Sequence, residues 1–279
     1  MILLIRYFRN KYLENYIYMT DKPKKLAIVF DMDETLGYFT QIGFVIEQYE
    51  NFTGKIVTIE EAMDVLDCYP NIFRPGVLHT FNYLRNQKKK KPHINVLMYT
   101  NNIGPKQWAH TVRRVIEKKI NYKIFDRTIC AWKVGKDTYE QCRTTHSKTY
   151  EDLKKCGSLG DNDKICFFDD LDHPDMKHKN VDYNELTKYK YYYKVDKILH
   201  LFFKSKISKN IKNKGAFIKK FKYEAKTSWF QKYLNVKLKK NYDNKNILRA
   251  VRKFLKNNKF KISKKRRKKS RKNKTKKNN

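Results

Sequence analysis

Three short apolar runs, each followed by polar residues, constrain the fold of this 279-residue chain more than any other feature. They lie at Leu26–Phe30, Ile94–Tyr99 and Lys164–Phe168, and none shows regular alternation of apolar and polar residues. Such a run is typical of a strand that is buried on both faces of a parallel sheet. Because helical patterns separate the runs, the sequence predicts an α/β fold: a Rossmann-like, mainly parallel sheet with helices on both faces and a small cap or none.

Helix signals fill most of the intervals between the predicted strands. Thr58 and Glu61 have the spacing of a capping box and predict a helix that reaches about Leu66. Pro75 is expected at the first position of another helix, which runs from Gly76 to about Arg85. Residues 38–72 otherwise show a mixed pattern. Further helices are expected after a cap at Asn101 or Asn102, and from Lys148 to Lys155.

The net charge of +36 is concentrated in the last third of the chain. Residues 1–180 hold 29 Lys and Arg against 23 Asp and Glu, whereas residues 181–279 hold 35 against 5. The stretch 261–277 contains twelve cations and no acid, a composition that cannot bury enough surface to fold. The predicted organisation is an N-terminal extension (1–24), an α/β domain (25–203), a basic and helical extension (204–260), and a disordered Lys/Arg-rich tail (261–279).

The cysteines and the start of the chain predict a location inside the cell. Five cysteines form an odd set without a C-x-x-C pair, which favours reduced thiols in a reducing compartment over a disulfide scaffold or a zinc site. No apolar run approaches the roughly 20 residues that span a bilayer, so no membrane partner is expected. Arg6 and Arg9 interrupt the apolar start, which disfavours a secretory signal, and either Met1 or Met19 begins the protein.

Each predicted strand is followed by polar side chains that can form one site. Asp31 and Asp33 follow the first run, Thr100 follows the second, and Asp169 and Asp170 follow the third. In an open α/β sheet, ligands bind at the carboxyl ends of the strands, so these side chains are expected to lie together. A carboxylate cluster repels itself unless a cation neutralises it, and hard oxygen ligands select Mg²⁺.

Lys148 is the remaining strongly placed positive charge, at the predicted start of a helix that precedes the third run. Each candidate has an ordinary explanation when taken alone: acids end strands, threonines cap helices, and lysines are solvated. In combination, a lysine, a Mg²⁺ ion and the Thr100 hydroxyl can clamp the three oxygens of a transferring phosphoryl group. These residues occur in this order along the chain, and each follows a predicted strand or lies at a predicted helix start. The combination predicts a phosphotransfer site.

This order of segments resembles the haloacid dehalogenase superfamily. Within it, the sequence is most similar to the RNA polymerase II C-terminal-domain phosphatases and their NLI-interacting-factor-like relatives. The resemblance covers residues 25–185 and rests on the segments Phe30–Leu36, Arg74–Gly76, Tyr99–Asn101, Lys148 and Phe168–Asp170. It implies a Mg²⁺-dependent phosphatase domain.

The resemblance also implies a role for each candidate residue. Asp31 attacks phosphorus and becomes an aspartyl-phosphate, while Asp33 protonates the leaving oxygen and then takes a proton from the hydrolytic water. Thr100 donates to the phosphoryl group, and Lys148 neutralises its developing charge. The metal is expected between Asp31, the Asp33 backbone carbonyl and the pair Asp169–Asp170. Within that pair, Asp170 is the preferred ligand.

Two departures from the family pattern leave the substrate open. The polymerase-tail phosphatases carry a β-hairpin flap after their first motif, where this chain is predicted to be partly helical. They also usually read Thr-Ala-Ser where this chain reads Thr100-Asn101-Asn102. The 48 positions from Thr100 to Lys148 leave little room for a large lid, so an open site for macromolecular substrates is expected.

The basic tail and the residues before it allow more than one function. The cluster 264–269 can be a nuclear address or can contact nucleic-acid phosphates. The leading prediction is a phosphatase for phosphoserine or phosphothreonine in a protein. The alternatives are a nucleic-acid end phosphatase and a catalytically silent nucleic-acid- or protein-binding module; the oligomeric state stays open. Aromatic residues upstream of the tail either cover the core or stack on bases: Phe217, Phe221, Tyr223, Trp229, Phe230 and Tyr233.

Overall fold

A parallel sheet forms the centre of the protein in a computed structural model, which describes residues 25–104, 107–233 and 245–258. Within those residues, five strands form one sheet and every pairing is parallel; their order across the sheet is Arg127–Ile129, Ile94–Tyr99, Leu26–Phe30, Lys164–Asp169 and Val181–Glu185. The predicted α/β fold is therefore confirmed. The strands of the described residues are β1 (Leu26–Phe30), β2 (Ile94–Tyr99), β3 (Arg127–Ile129), β4 (Lys133–Val134), β5 (Asp137–Thr138), β6 (Lys164–Asp169) and β7 (Val181–Glu185). Strands β4 and β5 form a separate antiparallel pair.

The three apolar runs form the central strands, and their ends are level with one another. Phe30 of β1 is in register with Met98 of β2 and with Phe168 of β6. All five residues of β1 are buried, because side chains from both faces of the sheet enter a hydrophobic core. Parallel strands that end at the same level deliver their next residues to one edge of the sheet.

Helices cover both faces of this sheet. The capping box that opens the second helix is confirmed, since the Glu61 N–H donates to the Thr58 hydroxyl and the Thr58 N–H donates to the Glu61 carboxylate. The helices of the described residues are α1 (Thr40–Thr53), α2 (Ile59–Asp67), α3 (Val77–Lys90), α4 (Trp108–Ile120), α5 (Tyr150–Cys156), α6 (Val195–Phe202), α7 (Lys214–Thr227) and α8 (Lys245–Asn257).

Two predictions about helices were wrong in detail, and one helix was missed. Helix α1 begins after Phe39 without a side-chain cap, so the sequence carries no start signal there. Pro75 does not open α3: Gly76 has a φ of 82°, a left-handed value that ends the preceding turn, and the helix begins at Val77. Neither candidate asparagine caps α4, whose N-cap residue is Gln107.

The basic extension contributes apolar side chains to the same core as the sheet. Phe217, Phe221 and Phe230 are at most 1% exposed. The ring of Phe230 stacks on Phe44 of α1 at a centroid distance of 4.3 Å, and Phe221 meets the same ring at 5.3 Å. These three aromatics therefore cover the core instead of being available to stack on bases. The predicted extension 1–24 and tail 261–279 lie outside the described residues, and the segment boundaries stay a prediction.

The expectation of reduced thiols is wrong at one pair, since Cys142 and Cys156 form a disulfide. The pair is 14 residues apart, so no short motif announces it. The fold brings the two cysteines together, because the N–H and hydroxyl of Thr144 both donate to Asp152 of α5. These bonds hold the segment that contains Cys142 against the helix that ends at Cys156. The reducing compartment stays a prediction. None of the helices in the described ranges is long and apolar enough to cross a membrane.

Candidate active site

The carboxyl edge of the sheet brings three buried aspartates together. Asp31 follows β1 directly, and Asp169 and Asp170 stand at the end of β6. Because Phe30 is in register with Phe168, the residues that follow these positions are neighbours. One carboxylate oxygen of each aspartate lies within 4.8 Å of the corresponding oxygen of the other two. The carboxyl groups of these three predicted site residues thus form one compact cluster.

Lys148 supplies the positive charge of this cluster. Its ammonium nitrogen lies 2.5 Å from Asp31 Oδ1 and 2.7 Å from Asp169 Oδ2, and its side chain is only 2% exposed. The start of α5 fixes its position, because the Thr149 hydroxyl caps that helix by accepting a hydrogen bond from the Asp152 N–H. The structure therefore places Lys148 between two of the predicted carboxylates.

The cluster holds three carboxyl groups against one buried ammonium group. Burial raises the pKa of Asp31 to about 8, against the opposing effect of Lys148. Burial and the charge of Asp169 raise the pKa of Asp170. Burial would lower the pKa of Lys148, but the two carboxylates that it contacts outweigh burial and raise it. Lys148 is the buried ammonium among the three carboxyl groups, whereas Lys188, at 3.8 Å from Asp170, is 47% exposed, so a further cation would improve the charge balance.

The donor atoms of this cluster fit Mg²⁺. The three aspartates offer carboxylate oxygens, which are the hard ligands that this ion takes. A divalent cation would also relieve the repulsion that contributes to the raised pKa values of Asp31 and Asp170. Asp31, Asp169 and Asp170 are therefore the residues that would hold the ion.

Arg74 holds the turn that carries the first two aspartates. Its guanidinium donates to the backbone carbonyls of Thr35, Glu34 and Thr187 at 2.6–2.7 Å. Glu34 has a φ of 56°, a left-handed value that is uncommon for a residue other than glycine. The Thr35 hydroxyl in turn donates to Asp170 Oδ1 at 3.0 Å, so the turn and the end of β6 are tied to each other.

Asp33 lies beside the buried cluster and is partly exposed. Its Oδ2 accepts a hydrogen bond of 2.8 Å from the side-chain amide of Asn102. Burial raises the pKa of Asp33 to about 6, although the bond from Asn102 opposes that shift. A contribution of the Asp33 carbonyl to metal binding stays a prediction. Sequence reasoning gave Asn102 only a capping role, yet its place directly behind the second strand was a signal that it belonged to the site.

Thr100 lies at the same edge, behind β2, and is almost fully buried. Its hydroxyl accepts a hydrogen bond of 3.0 Å from the backbone N–H of Asn102. Among the described residues, that hydroxyl forms no hydrogen bond with Asp31 or Lys148. The structure thus places Thr100 next to the strand of the aspartates, outside the ion-paired cluster.

Arg143 is a buried residue of the site that sequence reasoning missed, since a single arginine in a loop carries no pattern. Its guanidinium donates to four backbone carbonyls, those of Thr100, Cys130, His146 and Ser147, at 2.9–3.3 Å. Two of these carbonyls belong to the loop that leads into Lys148, and one belongs to Thr100, which follows β2. Arg143 therefore fixes two sides of the site relative to each other.

We expect Arg143→Met to lower the free energy of unfolding by about 2–4 kcal/mol, because buried carbonyls lose their donor while the side-chain volume is largely kept. The measurement is chemical denaturation at fixed pH. Arg114→Met is the matched control, since Arg114 is 43% exposed and pairs with Glu60 at the surface, where the expected loss is below about 1 kcal/mol. Equal losses in the two variants would contradict the role given to Arg143.

Comparisons with known proteins add little to this geometry. No protein-family profile matches the sequence, and no curated protein matches it significantly. Among solved structures, one similar chain is a HAD-superfamily hydrolase of subfamily IA, variant 1, from Geobacter sulfurreducens. The two chains are 13% identical over 53% of this chain and 81% of that one, with a TM-score of 0.33. The functional conclusion therefore rests on the side chains at the carboxyl edge of the sheet.

Proposed function

We propose that this chain is a Mg²⁺-dependent phosphatase of the haloacid dehalogenase superfamily that acts on phosphoserine or phosphothreonine in a protein. The observation that carries the proposal is the buried cluster in which Lys148 bridges Asp31 and Asp169 at the carboxyl edge of the sheet. A second carboxylate, Asp33, stands beside the first with its own hydrogen-bonded orientation. A nucleophile, an acid–base group and a positive charge are thus available within one site.

In the first step, a carboxylate oxygen of Asp31 forms a bond to phosphorus while the bond between phosphorus and the leaving oxygen breaks. Asp33 gives its proton to that oxygen, so the substrate departs as a neutral alcohol. A pKa raised to about 6 keeps part of the Asp33 population protonated near neutral pH. Lys148 neutralises charge on the phosphoryl oxygens, and Thr100 offers a hydroxyl from the neighbouring strand.

In the second step, water attacks the phosphorus of the aspartyl-phosphate and transfers a proton to Asp33. The bond between phosphorus and Asp31 breaks, which releases inorganic phosphate and restores both carboxyl groups. A bound Mg²⁺ ion would supply electrostatic stabilisation of the phosphoryl oxygens. The role of Arg74 and Asn102 is to hold the turn and the Asp33 side chain in place for both steps.

A nucleic-acid end phosphatase is the second candidate function. Twelve lysines and arginines between residues 261 and 277 favour it, because such a run can bind a polyanion or serve as a nuclear address. Three of the upstream aromatics that would have supported base stacking are buried in the core. The protein substrate therefore stays the leading proposal.

A panel of three substrates tests the proposal. The purified full-length chain is assayed with and without Mg²⁺ on p-nitrophenyl phosphate, a phosphoserine peptide and a 3′-phosphorylated oligonucleotide. We expect Mg²⁺-dependent turnover of the first two, with a higher kcat/KM for the peptide than for the oligonucleotide. Turnover of none of the three would overturn the enzymatic proposal. Turnover of the oligonucleotide alone would overturn only the protein substrate.

A further inference from the structure

A cleft of about 340 Å³ opens beside Asp33. Asp33 and Asn102 line it, whereas Asp31, Lys148 and Asp169 are not among its lining residues. The cleft is therefore separate from the atoms that would hold the phosphoryl group. Since Asp33 is the proposed donor to the leaving oxygen, the rest of the substrate lies on the side of the cleft. This step rests on the proposed function.

Aromatic rings form the walls of the cleft. Phe44 of α1, Trp108 of α4 and Trp229 from the basic extension all line it. Phe44 and Trp229 meet edge to face at a centroid distance of 5.5 Å, and Trp229 remains 47% exposed. Phe44 and Trp108 are buried, so Trp229 is the ring whose face can accept the apolar stem of a side chain and attract a cation through the ring quadrupole.

Two carboxylates, Glu47 and Glu50 of α1, lie in the same cleft. Burial and the charges of Glu224 and Glu50 raise the pKa of Glu47, although a hydrogen bond from Trp229 opposes the shift. Glu50 accepts a hydrogen bond of 2.7 Å from the Val57 N–H, and neither carboxylate forms an ion pair with a lysine or arginine of the described residues in this chain of net charge +36. Within the described residues, the cleft thus combines two carboxylates that lack an ion-pair partner with the exposed ring of Trp229.

We propose that this cleft binds an arginine or lysine side chain of the phosphoprotein substrate, located near the phosphorylated residue in sequence. A guanidinium suits it best, because its plane can lie on an aromatic face while its N–H groups bind a carboxylate. A nucleic-acid strand suits it poorly, since Glu47 and Glu50 would repel the phosphates next to the reacting one. The positive electrostatic field of a protein with net charge +36 disfavours the binding of cationic peptides. A preference for such peptides would therefore have to come from a local site such as this cleft.

Pairs of phosphoserine peptides test this proposal. In each pair, one position within three residues of the phosphoserine carries arginine in one peptide and citrulline, its neutral isostere, in the other. We expect kcat/KM of the arginine peptide to exceed that of its twin by about tenfold at one or more positions, the effect of one hydrogen bond to a charged group. In Glu47→Gln/Glu50→Gln the ratio should fall close to one.

The matched control is Glu60→Gln/Asp196→Asn, which removes two negative charges from exposed positions outside the cleft. It should keep the ratio of the wild type. Trp229→Ala is a second variant, at a partly exposed ring, and it should also lower the ratio. A ratio that survives in both cleft variants would overturn the proposal.

Assays of the wild-type protein distinguish failure of the cleft proposal from failure of the proposed function. If it turns over p-nitrophenyl phosphate but treats every arginine and citrulline pair alike, the cleft proposal fails and the proposed reaction stands. If it turns over neither p-nitrophenyl phosphate nor any peptide, the proposed function fails. A higher kcat/KM for the 3′-phosphorylated oligonucleotide than for every peptide would overturn the cleft proposal and favour a nucleic-acid substrate.

Discussion

Asp31→Asn is expected to lower kcat for every phosphate ester by roughly 10⁴-fold or more, the scale of loss when a covalent nucleophile is removed. An amide of the same shape fills the position but cannot form the bond to phosphorus. Lys148 keeps its contact with Asp169 in this variant, so the site is not left with an unpaired buried ammonium. The measurement is steady-state turnover of p-nitrophenyl phosphate and of a phosphoserine peptide.

A covalent readout accompanies the kinetics. Acid quenching during turnover should trap phosphate on the wild-type peptide that contains Asp31, and the variant should carry none. Asp172→Asn is the control, because Asp172 is about half exposed and pairs with Lys177 at the surface. It should retain turnover within about twofold of the wild type, as surface changes usually do. A variant at Asp31 that kept a tenth of the activity would contradict the assigned nucleophile.

The central sheet and the positions of three residues of the candidate site were predictable from the sequence, because both follow from the geometry of a parallel sheet. Unbroken apolar runs mark strands buried on both faces, and parallel strands that end level deliver Asp31, Thr100 and Asp169 to one edge. That inference needs only local pattern and the geometry of a parallel sheet. It does not need the packing of any side chain.

The parts that the sequence did not predict depend on contacts between distant segments. Arg143 gains its role from four carbonyls that only the fold brings together. Cys142 and Cys156 meet because a loop turns back on α5. Helix α1 begins without a cap, so its start depends on the burial of its apolar face. None of these features has a short sequence signature.

The cleft beside Asp33 shows how the basic extension enters the site. Phe230 anchors the end of that extension by stacking on Phe44, and the neighbouring Trp229 remains exposed at the cleft. A segment whose composition suggested a separate charged appendage thus contributes one wall to the place where the substrate is proposed to lie. Substrate selection would then depend on residues on both sides of the boundary predicted at residue 203.

Asp33→Asn should separate the two proton transfers of the proposed reaction. For a phosphoserine peptide, whose alcohol is a poor leaving group, we expect kcat to fall by about 10²–10⁴-fold, the usual contribution of a general acid. For p-nitrophenyl phosphate the first step needs no proton, because p-nitrophenolate departs unprotonated. Its second step still lacks the base that activates water, so aspartyl-phosphate should accumulate.

The expected result with p-nitrophenyl phosphate is therefore a burst of one p-nitrophenolate per enzyme followed by slow turnover, measured by stopped-flow absorbance. The substitution keeps an oxygen that can accept the hydrogen bond from Asn102, so the local geometry is retained. Asn102→Ala is the companion variant: it removes that bond and leaves the carboxyl group, and it should slow both substrates without a burst. If Asp33→Asn slowed both substrates equally and gave no burst, Asp33 would be a positioning residue, and another group would have to carry the proton.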